Sequence, residues 1–239
     1  MDEPEEKPEV KPEETPEEKP GMPVLLLHGA LRGWLGLVPT MVYLQQHGFE
    51  ARPFGYATRR DTLERHAERV EEFMDEWLGD RAPVPMLGIL THSMGGLVAR
   101  TYLGRAASHR HAERVRLVML APPNQGAAMA EQLKDWPVYQ WVFGVAAEEL
   151  HPERVGKIPL PPDHCEVCIL AGGRGREEGI NPRLEGDDDG VVSLEETRLP
   201  GVEPVFVGGV HTFLQWRPTV LHRAMSFFEA GAEAEIEPV

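Results

Sequence analysis

From residue 21 onward the chain alternates short apolar runs with longer stretches in which apolar positions recur every three or four residues. Val24–His28 is a short apolar run bounded by Pro23 and Gly29, as expected of a buried strand. Val38–His47 reads as a helix stopped by Gly48, and Phe49–Tyr56 as a second strand. Asp61–Leu78 carries the clearest helical period: Leu63, Ala67, Val70, Met74 and Trp77 share a face, and Glu and Arg fill the others. Met86–Thr91 predicts a strand, Gly95–Ala107 a helix and Leu117–Ala121 another strand. The segment from Asn124 to His164 is longer than a simple crossover and holds Trp136, Tyr139, Trp141 and Phe143. Val167–Ala171 and Val205–Val207 predict the last strands, and Pro218–Ala230 a closing helix. Strands buried on both faces and alternating with helices imply an α/β domain: a mostly parallel central sheet, helices on both faces, and a short insertion or lid region.

The first twenty residues follow another rule. Pro4, Pro8, Pro12, Pro16 and Pro20 recur every fourth residue among Glu and Lys, which blocks helix and sheet hydrogen bonding alike. The organisation expected is therefore a disordered acidic Pro/Glu-rich tail over 1–21, one domain over 22–232 and a short C-terminal tail over 233–239. No internal repeat is visible.

Charge narrows the function classes. The net charge is −15; residues 1–20 hold nine acidic and three basic side chains, leaving −9 for the rest. Such a surface repels phosphate backbones, which argues against nucleic-acid binding. No run of eighteen apolar residues exists, so no transmembrane segment is expected. No apolar signal core opens the sequence, so as it stands a cytoplasmic location is expected; a secreted or periplasmic one requires a signal missing from it. Cys165 and Cys168 are too few for a disulfide scaffold, and their i, i+3 spacing in a strand points them to opposite faces, away from a shared metal or redox turn.

Candidate chemistry begins at Thr91-His92-Ser93-Met94-Gly95-Gly96, where an apolar strand ends and a helix begins. A sharp strand-to-helix turn lifts a serine hydroxyl above the sheet at the positive end of the helix, where the Met94 N–H can face a developing oxyanion. The usual pattern is G-x-S-x-G; here Thr91 takes the first position.

With that turn the sequence resembles the lipase and esterase branch of the α/β-hydrolase superfamily, from about Pro23 to Ala230. Besides the nucleophile turn, Val24–Ala30 is similar to the apolar strand and His-Gly turn whose next residue donates the second oxyanion N–H, which makes Ala30 the matching donor. Ala121–Gly126 resembles the loop after the next strand in bacterial lipases, and Gly186–Ser193 the loop with the catalytic acid. The resemblance implies the α/β-hydrolase fold and a serine-nucleophile mechanism, without naming a substrate.

Ten histidines compete for the role of base. His211 follows the last strand through Gly208-Gly209-Val210 and precedes the closing helix, so a loop at the carboxyl edge of the sheet aims it; the order Ser…Asp…His also fits. Asp187, Asp188 and Asp189 compete for the acid. In an extended loop Asp187 and Asp189 share a direction and Asp188 faces away. In similar lipases the acid directly precedes glycine and a β-branched pair, which selects Asp189.

The acidic run lacks the alternating carboxylates and downstream Glu of an EF-hand and reads as a solvated turn. His109 and His111 lack a third ligand and read as surface. Gly172-Gly173-Arg174-Gly175 completes no nucleotide fingerprint and reads as a flexible loop. No metal and no cofactor are expected. Trp34, Leu35, Trp136, Trp141 and Phe143 are candidates for an apolar acyl site or lid, with core packing as the alternative.

The expected activity is serine carboxylic-ester hydrolysis on a small-molecule ester, lipids included, through Ser93, His211 and Asp189, with an acyl-enzyme intermediate and an Ala30/Met94 oxyanion hole. The alternatives are an acyltransferase, thioesterase or amidase using the same groups, or a non-catalytic binding module on this fold.

Overall fold

The computed structural model describes residues 21–231; the 1–20 and 232–239 segments, with the expectations made for them, lie outside the described residues. Six parallel strands form one sheet: β1 (Pro23–Leu27), β2 (Glu50–Phe54), β3 (Val84–His92), β4 (Ala112–Leu120), β5 (Cys165–Ala171) and β6 (Val205–Phe206). Their spatial order is β2-β1-β3-β4-β5-β6. The helices are α1 (Val38–Gln46), α2 (Leu63–Leu78), α3 (Gly95–Leu103), α4 (Ala128–Leu133), α5 (Pro137–Phe143), α6 (Val145–Glu149), α7 (Pro152–Val155) and α8 (Pro218–Ala230).

The unbroken apolar run of β1 is explained by its two neighbours. Leu25 and Leu27 enter one core layer with α2, α3 and the insertion helices, while Val24 and Leu26 enter a second layer with α1 and α8. Each fully buried Leu contributes about 1.5–3 kcal/mol relative to exposure. Edge strand β2 has one free side and tolerates Pro53, which a central strand does not.

Helix α2 shows how the sequence specifies an element. Thr62 caps it, its hydroxyl accepting the Arg65 N–H at 3.3 Å, and Gly79 at φ +50° ends it. Its buried face is the predicted one, with His66 and Leu78 added. β3 and β4 begin earlier than the apolar runs because Val84 pairs with Ala112 at the amino edge, where Pro85, Glu113 and Arg114 stay exposed. The helix expected over Gly95–Ala107 stops at Leu103, and Gly104 leads into a 3-10 turn over Ala106–Arg110. The long 124–164 segment resolves into four short helices, α4 to α7.

Two surface expectations are overturned. His111 is buried, its ring between the Tyr102 hydroxyl at 2.7 Å and Asp75 Oδ1 at 2.9 Å. The 172–175 segment is tied down: Gly173 and Gly209 exchange both backbone bonds, at 2.9 and 2.8 Å. Cys165 and Cys168 are free thiols that pack on opposite layers, and burial pushes both up to about 12. No described helix is long and apolar enough to cross a membrane.

Candidate active site

A parallel sheet gathers its loops at the carboxyl ends of its strands, and the candidate residues meet there. Ser93 follows β3 at φ +54°, a left-handed backbone that costs a non-glycine residue about 1–3 kcal/mol. Two contacts hold it: the Ser93 N–H donates to Leu120 O at 2.8 Å, and α3 starts immediately beyond. Gly95 is required by space, since a Cβ there would lie 2.6 Å from Leu27 O and 2.8 Å from His28 O. Thr91 is accommodated beside Gly96, with its buried hydroxyl directed at Val118 O, 3.4 Å away.

His211 opens a 3-10 turn after β6. Its Nδ1 lies 2.7 Å from Asp189 Oδ2, its N–H donates to Asp189 O at 2.9 Å, and its carbonyl accepts from His92 Nε2 at 2.9 Å. The carboxylate can only accept, so Nδ1 carries the proton and Nε2 is left as an acceptor. Asp189 is buried, and its Oδ1 accepts the Val191 and Val192 N–H groups at 3.1 and 2.9 Å. The neighbouring aspartates turn elsewhere. Asp187 accepts from Arg174 N and Gly175 N, both at 2.8 Å, so it does not share the direction of Asp189. Asp188 is buried, accepting from Asn181 N at 3.0 Å and Gly190 N at 2.6 Å. The acidic run is thus an internally bonded loop and not a solvated turn.

Ser93 and His211 line one cavity of about 270 Å³. Ala30, Phe143, Leu150, Val191 and Val192 give it an apolar wall. Among the described residues, the Ala30 and Met94 N–H groups have no acceptor within the protein. Of the five predicted pocket side chains, Phe143 lines this cavity. The other four stand neither in it nor in the core: Trp34 lies over Gly55, Trp141 borders an adjoining cavity, and Leu35 and Trp136 are exposed.

No family model and no curated protein sequence matches the chain. Solved structures do. The mature lipase BlEst2 of Bacillus licheniformis superposes with a TM-score of 0.66 at 17% identity, over 85% of this chain and 89% of that one. A NocB thioesterase domain gives 0.51 at 19%, over 86% and 95%. Phospholipase PlaB of Legionella pneumophila gives 0.57 at 18%, over 74% of this chain and 45% of that one, so the chain spans less than half of that phospholipase. The chain has the α/β-hydrolase fold.

Within this α/β-hydrolase fold, several residues outside the predicted set hold the site. His28 Nδ1 donates to Gly29 O at 2.9 Å, and its Nε2 accepts the Tyr56 N–H at 3.3 Å. The rings of His28 and Tyr56 stack with centroids 4.1 Å apart, and the Tyr56 hydroxyl donates to His28 O. Thr58 Oγ1 accepts the Leu31 N–H at 3.2 Å, so the loop after β2 fixes the 28–31 turn that contains Ala30. Burial lowers His92 to about 3, so its neutral ring props the His211 carbonyl without adding charge. Gly172 allows the acid and base loops to close on β5, since its Cβ would lie 2.7 Å from Asp189 Cβ and 2.8 Å from Gly209 O. A sequence signal existed for Gly172, adjacent glycines at the end of a predicted strand. Tyr56 and Thr58 had none, because their role depends on β2 lying beside β1.

Proposed function

We propose that the chain is a serine hydrolase acting on carboxylic esters, with Ser93 as nucleophile, His211 as base and Asp189 as the acid that orients it. The observation that carries this reading is the 2.7 Å contact between His211 Nδ1 and Asp189 Oδ2, in a ring that lines the same apolar cavity as the strained Ser93. His211 Nε2 takes the Ser93 proton as Oγ attacks the ester carbonyl. The Ala30 and Met94 N–H groups hold the oxyanion, and the alcohol leaves with the proton from Nε2. Water then gives its proton to Nε2 as it attacks the acyl-enzyme, and Nε2 passes that proton to Ser93 Oγ as the acid is released. At about 270 Å³ the cavity is at the small end of ligand sites, which favours short to medium acyl groups.

The test is the substitution Ser93→Ala. It should abolish labelling by a fluorophosphonate probe and turnover of a short-chain ester, with an unchanged circular dichroism spectrum. Labelling of the variant at the wild-type rate would remove Ser93 from the mechanism.

A further inference from the structure

A second cavity, of about 750 Å³, adjoins the one that holds Ser93; Leu31 and Arg32 line both. Arg32, Arg59 and Arg60 line the second cavity together with Tyr56, Thr58 and Trp141, and no acidic side chain lines either one. This is unusual for the molecule. Acidic residues outnumber basic ones 39 to 24, and many arginines elsewhere pair with carboxylates, as Arg81 does with Glu50, Arg105 with Glu71 and Arg154 with Glu149, while others such as Arg100 and Arg217 donate to backbone carbonyls. Among the described residues, Arg32, Arg59 and Arg60 form no salt bridge. The Arg32 and Arg59 guanidinium groups meet neutral partners. Arg32 Nη2 donates to Thr212 Oγ1 at 3.0 Å, beside His211, and Arg59 Nη2 donates to Trp141 O at 2.6 Å with its guanidinium 5.8 Å from the Trp141 ring centroid.

Three guanidinium groups around one concavity repel each other until an anion neutralises them. An ester whose carbonyl is at Ser93 has two sides. The apolar cavity suits the acyl side, and the arginine cavity faces whatever lies on the other. We propose that the leaving-group side of the substrate carries a phosphoryl anion held by Arg32, Arg59 and Arg60. Guanidinium forks match the oxygens of phosphate in bidentate pairs, and a phosphate has enough oxygens for three arginines where a carboxylate has two. Arg32 then has a second effect: it links the anion, through Thr212, to the loop that carries His211. This inference rests on the reading of Ser93 as nucleophile.

The experiment compares three soluble esters with the same butyryl group, on glycerol, on glycerol phosphate and on a hydroxycarboxylate of similar length. Wild type should show kcat/KM at least tenfold higher for the phosphate ester than for the other two. Arg60→Gln, and the double variant Arg59→Lys with Arg60→Gln, should lower kcat/KM for the phosphate ester about tenfold or more and leave the glycerol ester within twofold. Inorganic phosphate should inhibit wild type competitively and the double variant weakly. Phosphatidylglycerol vesicles form a separate arm: turnover there, with none on the soluble phosphate ester, assigns the anion to a lipid headgroup. Equal rates on all three soluble esters with no vesicle turnover, or an equal drop on all three in the variants, overturn the proposal. Hydrolysis of the glycerol ester together with Ser93 labelling separates that failure from a failure of the catalytic reading. Binding to the Ser93→Ala protein decides the case without turnover: the phosphate ester should bind at least tenfold more tightly than the glycerol ester, and Arg60→Gln should erase the difference.

Discussion

At Asp189 one carboxylate oxygen takes two backbone N–H groups and the other takes the His211 ring, so this side chain both builds its loop and fixes the imidazole. Replacing it by Asn removes the charge that stabilises the imidazolium and permits the wrong tautomer, an effect of about four orders of magnitude in turnover. Asp189→Asn should therefore show that collapse in kcat. Asp188 is as deeply buried, but among the described residues its oxygens accept from Asn181 N and Gly190 N alone. Asp188→Asn should cost about 1–3 kcal/mol of stability, because two half-buried N–H groups lose their charged acceptor, with kcat on the remaining folded protein within about tenfold. Urea titration beside single-turnover kinetics distinguishes the two. If Asp188→Asn loses turnover as Asp189→Asn does while its midpoint is unchanged, the division of labour between the adjacent carboxylates is wrong. That division was only partly legible in the sequence. The Gly-Val-Val that follows Asp189 singled it out by resemblance, but the expected alternation of directions failed because each carboxylate caps a different stretch of backbone.

Among the elements, legibility followed how locally each is determined. α8 spans the predicted Pro218–Ala230, and α2 has the predicted apolar face, because in both the apolar period and the terminal residues lie within the segment. The 124–164 region was opaque, since four short helices without a sustained period take their positions from packing on the domain. Aromatic content there suggested an acyl site, yet Phe143 alone of its predicted residues turns into the cavity with Ser93. His111 was missed for a similar reason: a His-Arg-His turn looks solvated until α2 and α3 bring Asp75 and Tyr102 to it. This network ties both helices to the start of β4, at the sheet edge opposite the candidate site. His111→Ala should leave the buried Tyr102 hydroxyl without a partner and cost about 1–3 kcal/mol, read as a lower denaturation midpoint. Its KM and kcat should match wild type; a change in kcat at full folding would mean that the two edges of the sheet are coupled.

Across the whole molecule, burial of neutral imidazoles makes stability depend on pH. His66 and His92 are both buried, and burial lowers them to about 4 and about 3. Both ring nitrogens of His66 lack a hydrogen-bond partner among the described residues, so nothing offsets the cost of charging it there. The unfolded chain titrates near 6.5, so above that pH both states are neutral and the histidines contribute no pH dependence. Below it the unfolded state binds protons that the folded state refuses, and stability falls as pH falls, levelling only below the folded pKa values. For each of the two groups the loss at pH 5 is about 2 kcal/mol, since one pKa unit is about 1.4 kcal/mol. Surface carboxylates held low by arginines, such as Glu50 beside Arg81, push in the same direction but at lower pH, once they themselves protonate. Urea midpoints should therefore be flat from pH 8 to 7 and decline steeply from 6.5 to 5. His66→Leu removes one of the two groups and keeps an apolar contact for Tyr56, whose ring centroid lies 4.7 Å from that of His66. Burial lowers His28 and His164 as well, so in that variant the slope between pH 6.5 and 5 should become shallower by the share of one histidine, whatever the change in absolute stability. A slope that His66→Leu leaves unchanged would place the acid sensitivity in other groups and show that His66 is protonated as readily in the folded chain as in the unfolded one.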